Sequence, residues 1–176
     1  MDKDVYLHPL DLADAPRLAE LANNFHVWLQ LRNVFPHPYT VDDAVHFIEQ
    51  ARAGNLGNVY KITYQQAFAG LIGLVPQPDV YQRSHEIGYW LGEPYWGKGI
   101  ATEAVRQLVE IGFAETTLVR IYAGIFSSNP ASMRVLAKNG FILEGISRNA
   151  VYKNGRLLDE HRYALVRPDI TDSKIV

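Results

Sequence analysis

The chain has no cysteine among its 176 residues. That absence excludes disulfides, thiolate metal sites and a covalent acyl-cysteine intermediate. It also has no block of like charge. Its 17 basic and 19 acidic residues give a net charge of -2, so no nucleic-acid partner is expected. No run approaches the ~18 apolar residues that a membrane span needs. The opening Met1, Asp2, Lys3 and Asp4 carry no apolar signal core. A cytoplasmic protein without a membrane partner is the expectation. The six histidines are scattered, with none at metal-ligand spacing, so no metal is expected. Repeats and low-complexity stretches are missing too. What is present is a chain that is 48% hydrophobic. That suffices for one domain over residues 1–176 with its own core.

Local patterns predict the elements in order. Val5 to His8 reads as a short strand. Leu10, Leu12, Leu18 and Leu21, with Asp11 and Asp14 ahead of them, read as a first helix. Trp28, Leu29, Leu31 and Val34 suggest a second, shorter helical piece. Phe35-Pro36-His37-Pro38-Tyr39 reads as a loop, because residues before proline are pushed out of the helical region. Thr40 then caps a helix with Asp42 and Asp43 in its first turn. Val41, Ala44, Val45 and Ile48 form its apolar face.

A β stretch follows. Val59 to Tyr64 and Ala69 to Val75 read as a hairpin through Gln65-Gln66, ended by Pro76-Gln77-Pro78. His85 to Leu91 is a further strand. Beyond Gly97 and Gly99, residues Ala101, Ala104, Val105, Leu108 and Gly112 recur at helical spacing, with Glu103, Arg106, Gln107 and Glu110 on the other side. Leu118 to Phe126 reads as a strand. Asn129-Pro130 is a helix cap followed by proline at the first helical position. Met133, Leu136 and Ala137 make that helix's inner stripe, and Asn139-Gly140 ends it. Two last strands flank Asn154-Gly155, a strong two-residue hairpin signal. The resulting class is a mixed α/β sheet flanked by helices.

The glycine-rich loop between a strand and a helix is where an anion is expected. Backbone N–H groups in the helix's first turn are unpaired, and the dipole's positive end lies there. Gly97 and Gly99 let a pyrophosphate approach the backbone, and Ala101 is small for the same reason. Two commoner phosphate loops fit poorly. Gly92 to Gly97 and Lys98 begin a Walker A run. That run fails at Gly99, where a magnesium-binding hydroxyl belongs, and Pro94 and Trp96 obstruct it. Gly97 and Gly99 also begin a dinucleotide fingerprint, which fails at Thr102.

These residues resemble the GNAT superfamily of acyl-CoA-dependent N-acyltransferases. The family's signature, Gln/Arg-x-x-Gly-x-Gly/Ala, reads here Trp96-Gly97-Lys98-Gly99-Ile100-Ala101, with Trp96 in place of the usual first residue. The chain is most similar to the branch that acetylates the N-termini of ribosomal proteins. Pro38-Tyr39-Thr40, Glu86-Ile87-Gly88-Tyr89-Trp90-Leu91, the stretch from Asn129 to Phe141, and the Tyr152 to Gly155 hairpin with Asp159 and Tyr163 carry that likeness. The resemblance implies a mostly antiparallel GNAT-like sheet and acetyl-CoA as co-substrate. It implies an acetyl transfer to a primary amine by direct attack in a ternary complex.

Residue roles follow from the resemblance. Leu91, Gly92 and Glu93 would line the pantetheine arm, and an N–H there would polarise the thioester carbonyl. Trp96, Gly97, Lys98, Gly99, Ile100, Ala101 and Thr102 would take the pyrophosphate, and Asn129 the pantetheine amides. Glu86 is the candidate base, with Asp159 and Glu160 as rivals on opposite strand faces. A solvated strand-end carboxylate is the plainer account of Glu86. Ser132 is the candidate donor to the departing thiolate; a serine bonding its own first turn is the plainer account there. Tyr89, Phe35 and Tyr39 would border the acceptor, and His37 reads as a loop histidine. The implied acceptor is a protein N-terminus. A polyamine, amino acid or antibiotic amine stays open, as does a non-catalytic acyl-CoA-binding module. A monomer and a homodimer are both compatible with the sequence.

Overall fold

The computed structural model describes residues 4–114 and 117–167. The opening Met1, Asp2 and Lys3, and the chain beyond residue 167, lie outside the described residues. Seven strands form one sheet: β1 (Val5–Pro9), β2 (Asn58–Tyr64), β3 (Ala67–Pro76), β4 (Ser84–Leu91), β5 (Arg120–Phe126), β6 (Ile142–Lys153) and β7 (Arg156–Val166). Their spatial order is β1-β2-β3-β4-β5-β7-β6. Every neighbouring pair is antiparallel except β4–β5, which is parallel. The helices are α1 (Ala15–Ala22), α2 (Phe25–Leu29), α3 (Val41–Arg52), α4 (Ile100–Ala114) and α5 (Pro130–Lys138).

The turns have local causes. Gln65 and Gln66 stand at φ 50° and 67°, and Asn154 and Gly155 at 47° and 74°. Two consecutive positive φ values are what a tight hairpin of the primed type needs. Thr40 accepts from the Asp43 N–H, and Asp43 accepts from the Thr40 N–H, so α3 begins with a capping box. Asn129 accepts from the Ser132 N–H at 3.0 Å and starts α5.

The sheet separates two cores. On one side, Ile100, Ala104, Val105 and Leu108 of α4 and Leu136 of α5 pack on Ile72, Leu74, Ile87, Leu91, Ile121 and Ala123. On the other, Leu18 and Leu21 of α1 and Ala44 and Ile48 of α3 pack on Phe68, Leu71 and the aromatic group of Phe35, Tyr39 and Trp90. Strand alternation decides which residue reaches which side. Ile87, Tyr89 and Leu91 face α4 and α5, while Glu86, Gly88 and Trp90 face the other way.

Several expectations from the pattern are corrected. The second helical piece ends at Leu29, and Val34 is 89% exposed, so its spacing from Leu31 reflects no packed face. Leu12 sits in a 3₁₀ turn ahead of α1 and is exposed, and Val41 and Ala137 are exposed on their helices. Leu118 is buried but precedes β5, which starts at Arg120. Gln107 is not solely a surface residue, because its amide reaches back to donate to the Val5 carbonyl at 2.8 Å. Among the described residues, no helix is long and apolar enough to cross a membrane.

Candidate active site

The parallel pair β4–β5 holds together only at Ser84–Glu86 and Arg120–Tyr122. Beyond that, β4 runs on to Leu91 and β5 to Phe126 while the two diverge, leaving a wedge through the sheet. The backbone direction along the wedge follows from register. Gly92 donates to the Ala69 carbonyl at 2.9 Å, and Gln77 to the Ser84 carbonyl at 3.1 Å. Antiparallel pairing alternates, so Glu86, Gly88 and Trp90 spend their backbone groups on β3. Ile87, Tyr89 and Leu91 turn theirs toward the wedge. A row of amides on one wall of a cleft suits an extended chain of amide groups.

The glycine loop sits at the end of that wall. A 3₁₀ turn, Glu93–Tyr95, leads into it. Gly97 and Gly99 stand at φ 72° and 75°, a region closed to most side chains. A Cβ built on Gly97 meets no atom within 4 Å, so the space above it is open. The Gly99 carbonyl accepts from the Glu103 N–H, and α4 starts at Ile100. Fifteen helical residues bring the dipole and first-turn amides to this loop. The Lys98 ammonium lies 5.8 Å from the centre of the Tyr95 ring. Trp96 has a structural partner: its indole N–H donates to the Leu91 carbonyl at 2.7 Å, closing the turn. Of Leu91, Gly92 and Glu93, only Leu91 belongs to β4. The Gly92 N–H is spent on β3, and the Glu93 carboxylate accepts from the Asn24 amide at 2.7 Å and lies 3.2 Å from His26. Thr102 lies in the first turns of α4, and its carbonyl accepts from the Asn139 amide.

Across the wedge, β4 meets α5. The Ser132 hydroxyl donates to the Tyr89 hydroxyl at 2.7 Å, and Tyr89 donates to the Ser132 carbonyl at 3.2 Å. Burial raises the Tyr89 pKa, opposed in part by Ser132, so the phenol stays protonated at neutral pH. Asn129 is the cap that fixes Ser132 in this first turn.

The opposite face of the same strands carries the charges. Arg32, from the segment after α2, donates to the Glu86 carboxylate. Glu160 of β7 is paired in register with Phe126 of β5. Its carboxyl lies over Gly124, where an added Cβ would come within 2.6 Å of it. Arg162 stands 3.6 Å from Glu160 and over the Tyr122 ring. A cavity of about 210 Å³ opens here, lined by Arg32, Asn33, Phe126, Lys153 and Glu160 among others. Asp159 faces away and accepts from Asn149 and Arg148, which hold its carboxyl below the usual range. Phe35 and Tyr39 form packed wall rather than open surface: their rings are 4.7 Å apart, and Tyr39 is 5% exposed. Burial, with help from Asp43, pushes the Tyr39 phenol up to about 12. His37 packs with tilted rings against Phe25 and Trp28.

The structure therefore brings Leu91, Tyr89, Ser132, Asn129 and the glycine loop around one wedge, with Glu86 on its far face. Sequence reasoning missed Arg32, Gly124 and Lys153. Arg32 and Gly124 belong to no local motif, whereas Lys153 immediately precedes the Asn154-Gly155 turn and was readable as part of that hairpin. Among the described residues, no group of His, Asp and Glu side chains is arranged to hold a metal.

Comparison with known proteins places this geometry. The family described as acetyltransferase (GNAT) domain matches residues 4–142. Probable N-acetyltransferase YjcK of Bacillus subtilis (strain 168) is 49% identical over 83 residues, covering 47% of this chain and 46% of that protein. The ribosomal-protein-serine acetyltransferase of Escherichia coli (strain K12) is 34% identical over 98 residues, 54% of this chain and 55% of that one. The chain spans about half the length of four of the curated relatives it matches. The microcin C7 self-immunity acetyltransferase MccE, solved with acetyl-CoA and AMP, superimposes with a TM-score of 0.82. It is 26% identical and is matched over 95% of this chain and 94% of that one. With a wedge between two parallel strands, a glycine loop heading the helix that follows, and a family match over most of its length, the chain belongs to the GNAT acetyltransferase family.

Proposed function

We propose that this chain is an N-acetyltransferase that moves an acetyl group from acetyl-CoA to a primary amine, by direct attack within a ternary complex. The observation that carries the reading is the wedge: amide groups of Ile87, Tyr89 and Leu91 along one wall, ending at the Gly97 and Gly99 loop. Those residues fit a donor with an amide-bearing arm and a pyrophosphate. Leu91 would bind the arm through its backbone. Gly97 to Thr102 would receive the pyrophosphate at the positive end of α4. Acetyl-CoA supplies the acetyl thioester and a thiolate leaving group.

The residues on either face then have distinct tasks. The Leu91 N–H points into the wedge and would stabilise negative charge on the carbonyl oxygen under attack. The Ser132 hydroxyl, which donates to Tyr89 here, would turn to the departing sulfur and give it a proton, regaining one from solvent, with Tyr89 then donating to the serine oxygen. An alkyl amine is mostly protonated at neutral pH, so a base must take its proton before attack. Glu86 is the assigned base, directly or through water. Glu160 is a second reading favoured by one observation: its carboxyl lies over Gly124 beside the cavity with Arg162 at 3.6 Å, whereas Arg32 donates directly to Glu86. A protein N-terminus is the leading acceptor, by likeness to the relative that acetylates ribosomal-protein serine.

A thiol-release assay against peptides, polyamines and amino acids tests the reading. Turnover with at least one amine is expected. Glu86→Gln should lower kcat by about 100-fold and Ser132→Ala by about ten-fold. If Glu160→Gln abolishes turnover and Glu86→Gln does not, the base is Glu160. Acetyl-CoA binding without turnover for any amine would leave a donor-binding module instead.

A further inference from the structure

Lys153 is 3% exposed and lines the cavity on the far face of the wedge. It is the last residue of β6, set there by the hairpin at Asn154-Gly155. Its ammonium lies 3.6 Å from the centre of the Trp28 ring and donates to the Asn33 side-chain oxygen at 3.1 Å. Both partners are neutral. The other charges at the cavity are matched: Arg32 by Glu86, and Glu160 by Arg162. Among the described residues, Lys153 has no carboxylate within ion-pairing distance. Burial lowers its pKa with no opposing charge.

A buried ammonium without a counter-ion is costly. The Trp28 face offsets part of that cost, and Asn33 uses one of three N–H donors. The remaining donors stand at a cavity lined also by Arg32 and by Glu160, whose carboxylate is matched by Arg162. About 210 Å³ accommodates a small group, not a polymer.

We propose that Lys153 binds a carboxylate of the acceptor, so that this chain acts on primary amines carrying a carboxylate near the amine. The proposal rests on the acetyltransferase reading above. The carboxylate has two sources, the α-carboxylate of a free amino acid or the side chain of an acidic first residue on a peptide. Lys153 and Arg32 together repel the second cation of a polyamine.

Paired acceptors test it. Each carboxylate-bearing amine is compared with its amide: free amino acids with amino-acid amides, and peptides beginning with Asp or Glu with those beginning with Asn or Gln. Native protein should favour one carboxylate series by about ten-fold or more in kcat/KM. The series favoured identifies the source. Lys153→Met should bring that ratio near one. Asn33→Asp, which places a carboxylate against Lys153 with little change of shape, should do the same and guards against misfolding of the first variant. A ratio unchanged in both variants overturns the proposal, as does equal use of carboxylate and amide by native protein. A binding measurement separates this from failure of the enzyme reading. The Lys153 side-chain NMR signal, assigned by its loss in Lys153→Met, should shift with glutarate and not with glutaramide. A signal indifferent to both overturns the carboxylate site whether or not any amine is acetylated.

Discussion

Gly97 shows how one residue meets two demands. Its φ of 72° disfavours a Cβ on conformational grounds, and the space that a Cβ would enter is open. An L-residue held there costs about 1–2 kcal/mol, and the added methyl would stand where the donor's phosphates are expected. Gly97→Ala should weaken acetyl-CoA binding by about ten-fold, read by calorimetry. An unchanged dissociation constant would detach the loop from the donor. This glycine was legible because its cause is local: a loop followed at once by a helix. Trp96 was legible only as a departure from the family signature, and its indole bond to Leu91 needed the folded turn. Arg32 was not legible at all, since it meets Glu86 across 54 positions of sequence. Glu160 could be named as a rival carboxylate, but its placement over Gly124 depends on β7 lying beside β5.

Helix α5 binds stability and chemistry together at its first residues. Asn129 accepts from the Ser132 N–H, and the same turn presents the Ser132 hydroxyl to Tyr89. Removing the cap in Asn129→Ala should cost about 1 kcal/mol of stability, measured by urea unfolding. Asn129→Asp keeps the accepting oxygen and should retain that stability. If the Asn129 amide also contacts the donor, Asn129→Asp should still bind acetyl-CoA less tightly. Retained affinity would leave Asn129 as a cap alone. At this scale the sequence was informative wherever an element carries its own punctuation. Asn129-Pro130, Thr40 with Asp43, Gln65-Gln66 and Asn154-Gly155 each mark an end, and each end lies where the dihedrals and caps require. Where punctuation is absent, the pattern misleads. Leu31 and Val34 mimic a helical stripe, yet that segment is a loop that carries Arg32 and Asn33 over the sheet.

The sheet as a whole converts strand order into a site. Five of the six strand contacts are antiparallel and would close into a continuous surface; the single parallel contact, β4–β5, is the place where it splits. Strand order β5-β7-β6 was not legible, because pairing across the sheet depends on contacts far apart in sequence, yet it brings Glu160 and Lys153 to one cavity with Arg32. Paired carboxylates, some across the sheet and some within a single turn, set the acid stability of the molecule. Asn149 and Arg148 hold Asp159 below its usual range across β6 and β7. Arg120 does so for Glu144 between β5 and β6, Asn24 and His26 for Glu93, and Thr40 for Asp43. A carboxylate with a depressed folded pKa binds protons more weakly than in the unfolded chain. Its stabilisation is complete above the unfolded values of about 3.9 for Asp and 4.3 for Glu and is lost as pH falls through the folded ones. The melting temperature should therefore hold steady from about pH 7 to 5 and fall below about pH 4. Glu93 and Glu144 are exposed, so salt near 0.5 M, where the Debye length is about 4 Å, should weaken those pairs and flatten part of the fall. A fall beginning near pH 6.5 would instead assign acid stability to a histidine.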